Sequence, residues 1–319
     1  MARRSSLVIP HPSHIPVLLT ETLETLAPEP GETVLDCTAG LGGHAEALAR
    51  RVGPDGCVVL CDQDPGNLVR AAARLAAIPD ALRPREVRTI PGSFAQAPRT
   101  LRQWGVGADV VLADLGFSSN QMDDPNRGLS FMREGPLDMR LNPSAPVTAA
   151  ELVATLSERE LAEILRDLGE EPAARRIAQK IVLSRKIEPI QTTTQLAEIV
   201  RSVVPRIPGT IDPSTRTFQA LRIAVNDELG ALAVLLEAVE RAAVGPAGSW
   251  LAPGARVGVI SFHSLEDRLV KQSFARVTQQ GRAENVGPKP PITPGDAEVQ
   301  TNPRSRSAKL RVVRLAMAS

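Results

Sequence analysis

No tyrosine occurs in this chain, and aromatic residues make up only 3% of its 319 residues. The stacking platforms used by many single-strand nucleic-acid binders are therefore scarce, which argues against a dedicated RNA-binding module. Cysteine is nearly as sparse. Cys37, Cys57 and Cys61 form no CxxC pair and leave an odd count, so neither a disulfide framework nor a zinc site is indicated and no metal is expected. They read as small buried apolar residues. No stretch approaches the run of about 18 apolar residues that a membrane span needs. The basic start Met1-Ala2-Arg3-Arg4 runs into Pro10 and Pro12 where a signal peptide would carry its apolar segment, so the expected location is the cytoplasm. A net charge of +1 gives no global signature for nucleic acid, and any RNA contact must rest on local clusters. GxSxG, HExxH and Walker A sequences are also missing, which removes the common hydrolase, zincin and P-loop readings.

What is present is an alternation of short β-rich apolar runs with segments of helical period. Thr33 to Asp36, Cys57 to Cys61, Val87 to Ile90 and Asp109 to Ala113 read as strands, with helices near Ala45 to Arg51, Gly66 to Ala77 and Ala97 to Trp104. That alternation predicts an α/β fold with a doubly wound parallel sheet. After Asp114 the pattern changes: a Gly, Asn and Pro-containing stretch from Gly116 to Pro146 leads into segments of helical spacing only, such as Leu152, Leu156, Leu161, Ile164, Leu165 and Leu168. The expectation is an α/β domain in two parts, residues 1–122 and 212–319, split by an all-helical insertion at 123–211. The second part opens with one long helix from Ser214 through Leu236, followed by a strand from Arg256 to Phe262 and a helix from Leu265. Gly281 to Pro303 reads as a loop, and Lys309 to Leu315 as a closing edge strand.

The segment after the first strand, Gly40-x-Gly42-x-x-Ala45, fits the dinucleotide fingerprint, so spacing alone leaves a dehydrogenase open. Charge separates the alternatives. Asp36, Asp62 and Asp114 close three strands, at the end of the sheet where a doubly wound fold binds its ligand. A pyrophosphate there meets like charge, whereas the sulfonium and ammonium of S-adenosylmethionine are attracted. Gly40, Gly42 and Gly43 let the backbone approach the cofactor, and Asp62 stands where an acid accepts ribose hydroxyls. The plain alternatives are a ligand-free turn, a helix N-cap at Asp62 before Pro65, and a capping role for His44.

Asp114-Leu115-Gly116-Phe117-Ser118-Ser119-Asn120-Gln121 occupies the position at which amino-methyltransferases grip their nucleophile. The exocyclic amine of cytosine or adenine is a poor nucleophile because its lone pair is delocalised. Asp114 and a backbone carbonyl near Leu115 would hold its N–H groups and free that pair. A second constellation, Ser261-Phe262-His263-Ser264-Leu265-Glu266-Asp267-Arg268, makes His263 a further catalytic candidate. Its plain reading is helix initiation by a capping box of Ser264 and Asp267.

These residues together resemble the ribosomal RNA small-subunit methyltransferase H family. The resemblance runs through His14-Ile15-Pro16-Val17-Leu18-Leu19, Gly42-Gly43-His44, Asp62-Gln63-Asp64-Pro65 and the Asp114 loop. It continues through Arg127-Gly128-Leu129-Ser130-Phe131-Met132, Gly135-Pro136-Leu137-Asp138-Met139-Arg140, Thr215 to Arg222, Ser261 to Arg268 and Asn302 to Ser307. It implies a class I, Rossmann-like S-adenosylmethionine-dependent methyltransferase with an inserted helical domain for substrate recognition. The implied reaction is N4-methylation of a cytidine in 16S rRNA near the decoding centre of the small ribosomal subunit. By motif, Gly42, Gly43, His44, Asp62, Phe94, Asp114 and Gln121 would contact the cofactor, with Phe94 an apolar wall for adenine. Gln121 is open between reaching the methionine portion and holding the loop, and Asn120 stands where relatives often carry proline. Arg175, Arg176, Lys180, Arg185 and Lys186 form one basic cluster that could neutralise RNA phosphates, and Arg304, Arg306, Lys309, Arg311 and Arg314 another; solvated helix faces are the commoner explanation for each. A homodimer is left open. The competing readings are a methyltransferase acting on DNA or a small molecule, and a non-catalytic ribosome-assembly factor that retained the fold.

Overall fold

The computed structural model describes residues 16–245, 249–288 and 291–317; His14 and Ile15 of the first family motif lie outside them. Seven strands form one sheet: β1 Thr33–Asp36, β2 Cys57–Asp62, β3 Glu86–Pro91, β4 Ala108–Asp114, β5 Leu251–Ser261, β6 Ala283–Asn285 and β7 Lys309–Leu315. Their order is β3-β2-β1-β4-β5-β7-β6. The first five are parallel, and β7 runs antiparallel to both β5 and β6. Parallel strands need covered faces, and alternation along each strand supplies two cores. Val34, Val58, Leu60, Val110 and Leu112 face α1 Leu19–Leu26, α2 Gly43–Val52 and α3 Pro65–Ala76. Leu35, Val59, Cys61, Val111 and Ala113 face the opposite way, onto α4 Ala97–Trp104, α11 Glu228–Ala242 and α12 Ser264–Gln279. The three cysteines are buried and unpaired.

After β4 the chain makes a short turn of helix, α5 Ser119–Asp123, then leaves the sheet for α6 Ala149–Thr155, α7 Glu158–Asp167, α8 Ala174–Arg185 and α9 Thr193–Val203. Capping boxes start three of them: Thr148 with Glu151, Ser157 with Glu160, and Thr192 with Gln195. Each satisfies end donors that have no partner within the helix, a contribution of about 1 kcal/mol per cap. The third core holds Leu161, Leu165, Ile177, Ile181, Leu196 and Val200, together with Phe218, Ala220 and Leu221 of α10 Ser214–Asn226. The helical core therefore extends beyond residue 211, and we propose that the helical unit ends at Asn226.

The single long helix expected from Ser214 through Leu236 is two helices. Asp227 between them takes a left-handed conformation (φ 48°). The break is held by Asn226, whose Nδ2 donates to the Met139 carbonyl at 2.8 Å and whose Oδ1 accepts the Leu141 N–H at 2.7 Å. The segment Gly281 to Pro303, expected as loop, contains β6 and a short helix α13 Asp296–Thr301. β7, expected at the edge, is an interior strand because β6 pairs outside it. No helix among the described residues is long and apolar enough to cross a membrane.

Candidate active site

The carboxyl ends of β1, β2 and β4 meet in a cavity of about 720 Å³. Its floor is the turn between β1 and α2. Gly40 takes φ +51° and donates its N–H to Asp62 Oδ2 at 2.7 Å, while Asp62 Oδ1 accepts the Asp64 N–H at 2.8 Å. The Asp62 carboxylate thus ties the glycine turn to the start of α3. Burial raises its pKa, against the pull of those two N–H groups. Gly40, Gly43 and Asp62 line the cavity, but Gly42 does not. At φ +79° its α-carbon faces α3, and a Cβ there would lie 2.9 Å from Ala71 Cα. Gly42 therefore packs the turn closely on α3.

Asp36 is also set apart from the lining. It is 1% exposed beneath the turn, with Oδ1 accepting the Thr38 N–H at 3.0 Å. Burial pushes its pKa up to about 6, against the neighbouring His44 charge. It acts on the cavity through its field and not through contact.

His44 is the second residue of α2 and not its cap. Its Nε2 lies 3.0 Å from the Val17 carbonyl oxygen, which can only accept, and its Nδ1 lies 3.4 Å from Asp114 Oδ2. Burial lowers the imidazole pKa, but the hydrogen bond and charge of Asp114 outweigh it and leave the pKa raised. The Asp114 backbone N–H donates to Thr38 Oγ1 at 2.7 Å, which fixes the end of β4 to the end of β1. Asp114 Oδ1 is buried with no hydrogen-bond partner among the described residues. An acceptor left in that state costs about 1–3 kcal/mol until a donor reaches it.

Gln121 lines the cavity, with both ends of its amide engaged. Its Oε1 accepts the Ser118 N–H at 3.0 Å, and its Nε2 donates to Asp64 Oδ2 at 3.1 Å. Of its two expected roles, these bonds belong to holding the loop. Asp64 Oδ2 also receives Arg127 Nη1 at 2.9 Å, and Arg127 Nη2 donates to the carbonyls of Arg140 (3.1 Å) and Leu141 (2.6 Å). Arg127 and Asp64 are functional neighbours that residue-type reasoning passed over. Their only sequence signal was membership of the family motifs. Asn120 donates through Nδ2 to Asn67 Oδ1 at 3.1 Å, so a side chain braces the loop there.

Phe94 at the end of β3, 8% exposed, contributes an apolar wall. The far side is polar and comes from α10 to α12: Arg222, Glu228, His263 and Glu266. His263 lines the cavity, but it is the N-cap of α12. Its Nδ1 accepts the Glu266 N–H at 3.4 Å, and Glu266 Oε2 in return accepts the Phe262 and His263 N–H groups at 2.8 and 3.2 Å. Its Nε2 stands 3.2 Å from Glu266 Oε1, at an angle too poor for a hydrogen bond. The cap expected of Ser264 and Asp267 is thus made by His263 and Glu266. Ser264 instead bonds Glu170 of the helical unit, joined there by Arg268 Nη2 at 2.9 Å, and Asp267 binds Arg311 at 2.7 Å and Lys309 at 3.3 Å.

The basic clusters divide on the same grounds. Arg311 and Lys309 are held by Asp267, and Arg185 caps α6 through the carbonyls of Val153 and Leu156 at 2.6 and 2.7 Å. Arg304, paired with Asp123 at 2.9 Å, and Arg306 line the cavity mouth. Arg175, Arg176, Lys180 and Lys186 are exposed.

Carboxylates at two strand ends, an unsatisfied carboxylate oxygen and an apolar wall suit a cationic cofactor with an aromatic head, and suit a pyrophosphate poorly. Comparison with known proteins agrees. Residues 11–316 match the model of the MraW methylase family. The chain is 47% identical to ribosomal RNA small subunit methyltransferase H of Symbiobacterium thermophilum, over 94% of this chain and 96% of that protein. It is 46% identical to the protein of that name from Geobacter sulfurreducens (94% and 97%) and 45% identical to that from Granulibacter bethesdensis (94% and 91%). With its strand order, its carboxylate-lined cavity and this match over nearly its whole length, the chain belongs to the MraW methylase family, as a class I methyltransferase that uses S-adenosylmethionine.

Proposed function

We propose that this protein transfers a methyl group to the exocyclic N4 of a cytidine in 16S rRNA, near the decoding centre of the small ribosomal subunit, in the cytoplasm. The observation that carries the reading is Asp114: a carboxylate at the end of β4 with one buried oxygen lacking a partner and the other beside His44. The relatives' names support rRNA as the substrate class.

S-adenosylmethionine, when bound, supplies an electrophilic methyl group on a sulfonium. Gly42, Gly43, His44, Asp62, Phe94, Asp114 and Gln121 would hold it, Gly42 by shaping the turn, Asp62 as the acceptor for ribose hydroxyls and Phe94 as the apolar wall for adenine. Asp114 Oδ1 accepts an N–H of the target amine. That bond draws the amine out of conjugation and aims its lone pair along the transfer direction. The extra proton on the methylated amine passes to the Asp114 carboxylate, for which His44 is a proton-bearing neighbour. His263, with Nδ1 committed to Glu266, sets the start of α12 and so acts as a positioning residue. The helical unit recognises the RNA, and the target base must turn out of its stack to reach Asp114.

The test is transfer of tritiated methyl groups to small ribosomal subunits, free 16S rRNA and DNA, followed by nucleoside analysis. Label in N4-methylcytidine is the expected result, and label confined to any other nucleoside overturns the reading.

A further inference from the structure

Four guanidinium groups line the cavity, those of Arg74, Arg222, Arg304 and Arg306, and they differ in setting. Arg74 and Arg304 are 39% and 50% exposed and pair with Glu46 and Asp123, and Arg306 is exposed. Arg222 is sunk into the wall at 14% exposure. Its Nε and Nη2 donate to the two oxygens of Glu228 at 2.8 and 2.9 Å, and its guanidinium carbon stands 5.0 Å from the ring centre of Phe117. Phe117 is three residues beyond Asp114 and lines the same cavity. Two of the three guanidinium nitrogens are thus clamped and the plane rests on an aromatic ring. Nη1, with two N–H groups, has no hydrogen-bond partner among the described residues. The other side-chain amide of α10 on this wall is already used, since Gln219 Nε2 donates to the Leu168 carbonyl at 3.2 Å.

We infer that Arg222 is the base-reading residue of this enzyme: its free Nη1 edge donates to the N3 and O2 acceptors of the target cytosine while Asp114 holds the neighbouring amine. The inference rests on the cytosine-N4 reading above. A guanidinium fixed by a bidentate carboxylate loses little freedom when it makes its remaining bonds, so its selectivity is not spent on ordering. Cytosine places two acceptors next to its amine. Uracil presents an N3–H that would face the cation's own N–H groups, and adenine offers a single acceptor with a C–H beyond it. Discrimination by an unmatched polar group is strong, because the protein donor is left without a partner in a desolvated wall. Glu228 clamps, Phe117 supports, and Arg222 selects.

The experiment is a chemical double-substitution cycle with the full-length protein. Small subunits are reconstituted with 16S rRNA carrying either cytidine or 3-deazacytidine, which keeps the amine but lacks the N3 acceptor, at the methylated position. Wild type is compared with R222M/E228Q, which removes the guanidinium together with the carboxylate that clamps it, and with R222K. Wild type is expected to lose roughly 10- to 100-fold in kcat/KM on the analogue, the range for a hydrogen bond to a charged group. R222M/E228Q should lose a similar factor on cytidine and no more than about two-fold further on the analogue, with an unchanged dissociation constant for S-adenosylmethionine. An analogue penalty of the same size in wild type and variants overturns the inference, as does a wild type indifferent to the analogue, a result that needs no variant to fold. If wild type labels no cytosine amine at all, the cytosine-N4 reading fails and the inference with it, an outcome distinct from the other two.

Discussion

His44 Nδ1 stands 3.4 Å from Asp114 Oδ2, and its opposite ring nitrogen meets the Val17 carbonyl and must carry a proton. The two side chains therefore share whatever proton lies between them. The Asp114 hydrogen bond and charge favour the cationic imidazole and raise the His44 pKa. Asp114→Ala removes the acceptor for the amine and the partner of the imidazole together. Single-turnover transfer should fall roughly 10²- to 10³-fold, the range for losing one preorganised polar group at a reacting centre. Transfer by Asp114→Ala at the wild-type rate would discard the proposed role.

The same cluster predicts a pH dependence. The Asp36 pKa is raised to about 6 in the folded protein against 3.8 for a free carboxyl, so the fold favours its neutral form. Its contribution to stability is present at low pH and is lost as pH climbs through about 6. The raised imidazole of His44 has the same sign, its contribution being lost as pH rises through the folded value. A cationic cofactor favours the opposite charge state. Affinity for S-adenosylmethionine should therefore rise between pH 5 and pH 8 (values chosen to bracket about 6) while the stability of the cofactor-free protein falls. Calorimetry and thermal melts across that range, with Asp36→Asn alongside, test this. The substitution should raise the melting temperature most above about pH 6, with a gain that shrinks as pH falls and vanishes only below 3.8.

Gly42 and Gly40 both take positive φ, but only Gly42 has backbone where a Cβ would go. At Gly40 the nearest atoms to such a Cβ are 3.7 and 3.8 Å away. Gly40→Ala should cost about 1 kcal/mol for conformation alone. Gly42→Ala should cost about 2–4 kcal/mol, because α3 must shift as well. Equal losses in denaturant unfolding would show that the turn is not packed as described.

Arg127 joins a buried carboxylate to two carbonyls of the segment entering the helical unit. Arg127→Met leaves the buried Asp64 carboxylate without a countercharge, held only by the Gln121 amide and the Gly66 N–H, with an expected loss of about 3 kcal/mol. Arg127→Met combined with Asp64→Asn should recover a large part of it. Urea titration of the three proteins distinguishes a buried network from two independent surface losses.

The strands most readily read from the sequence were those buried on both faces. Runs such as Val58 to Cys61 and Val110 to Ala113 have no polar period that would suit anything else. What escaped was fixed by distant partners. β6, Ala283–Asn285, has no apolar run of its own and exists only because β7 offers a free edge. The break at Asp227 depends on Asn226 finding Met139 and Leu141, which lie more than eighty residues earlier in the chain. Three strand-end acids were correctly found, but their different duties follow from depth, which linear spacing does not encode. Asp36 is sealed under the turn, Asp62 is engaged by two N–H groups, and Asp114 keeps one oxygen free.

The place of β7 also bears on how the chamber closes. Cavity-lining residues run from Pro16 to Ser307, and β6 pairs with a strand that begins at Lys309. β7 lies between β5 and β6, so the sheet is completed by a strand inserted between two segments that precede it in sequence, and the Asn302 to Ser307 stretch of the cavity wall is carried into place just ahead of it. Pairing of this kind joins distant parts of the chain, and its loop closure comes before the contacts that offset it.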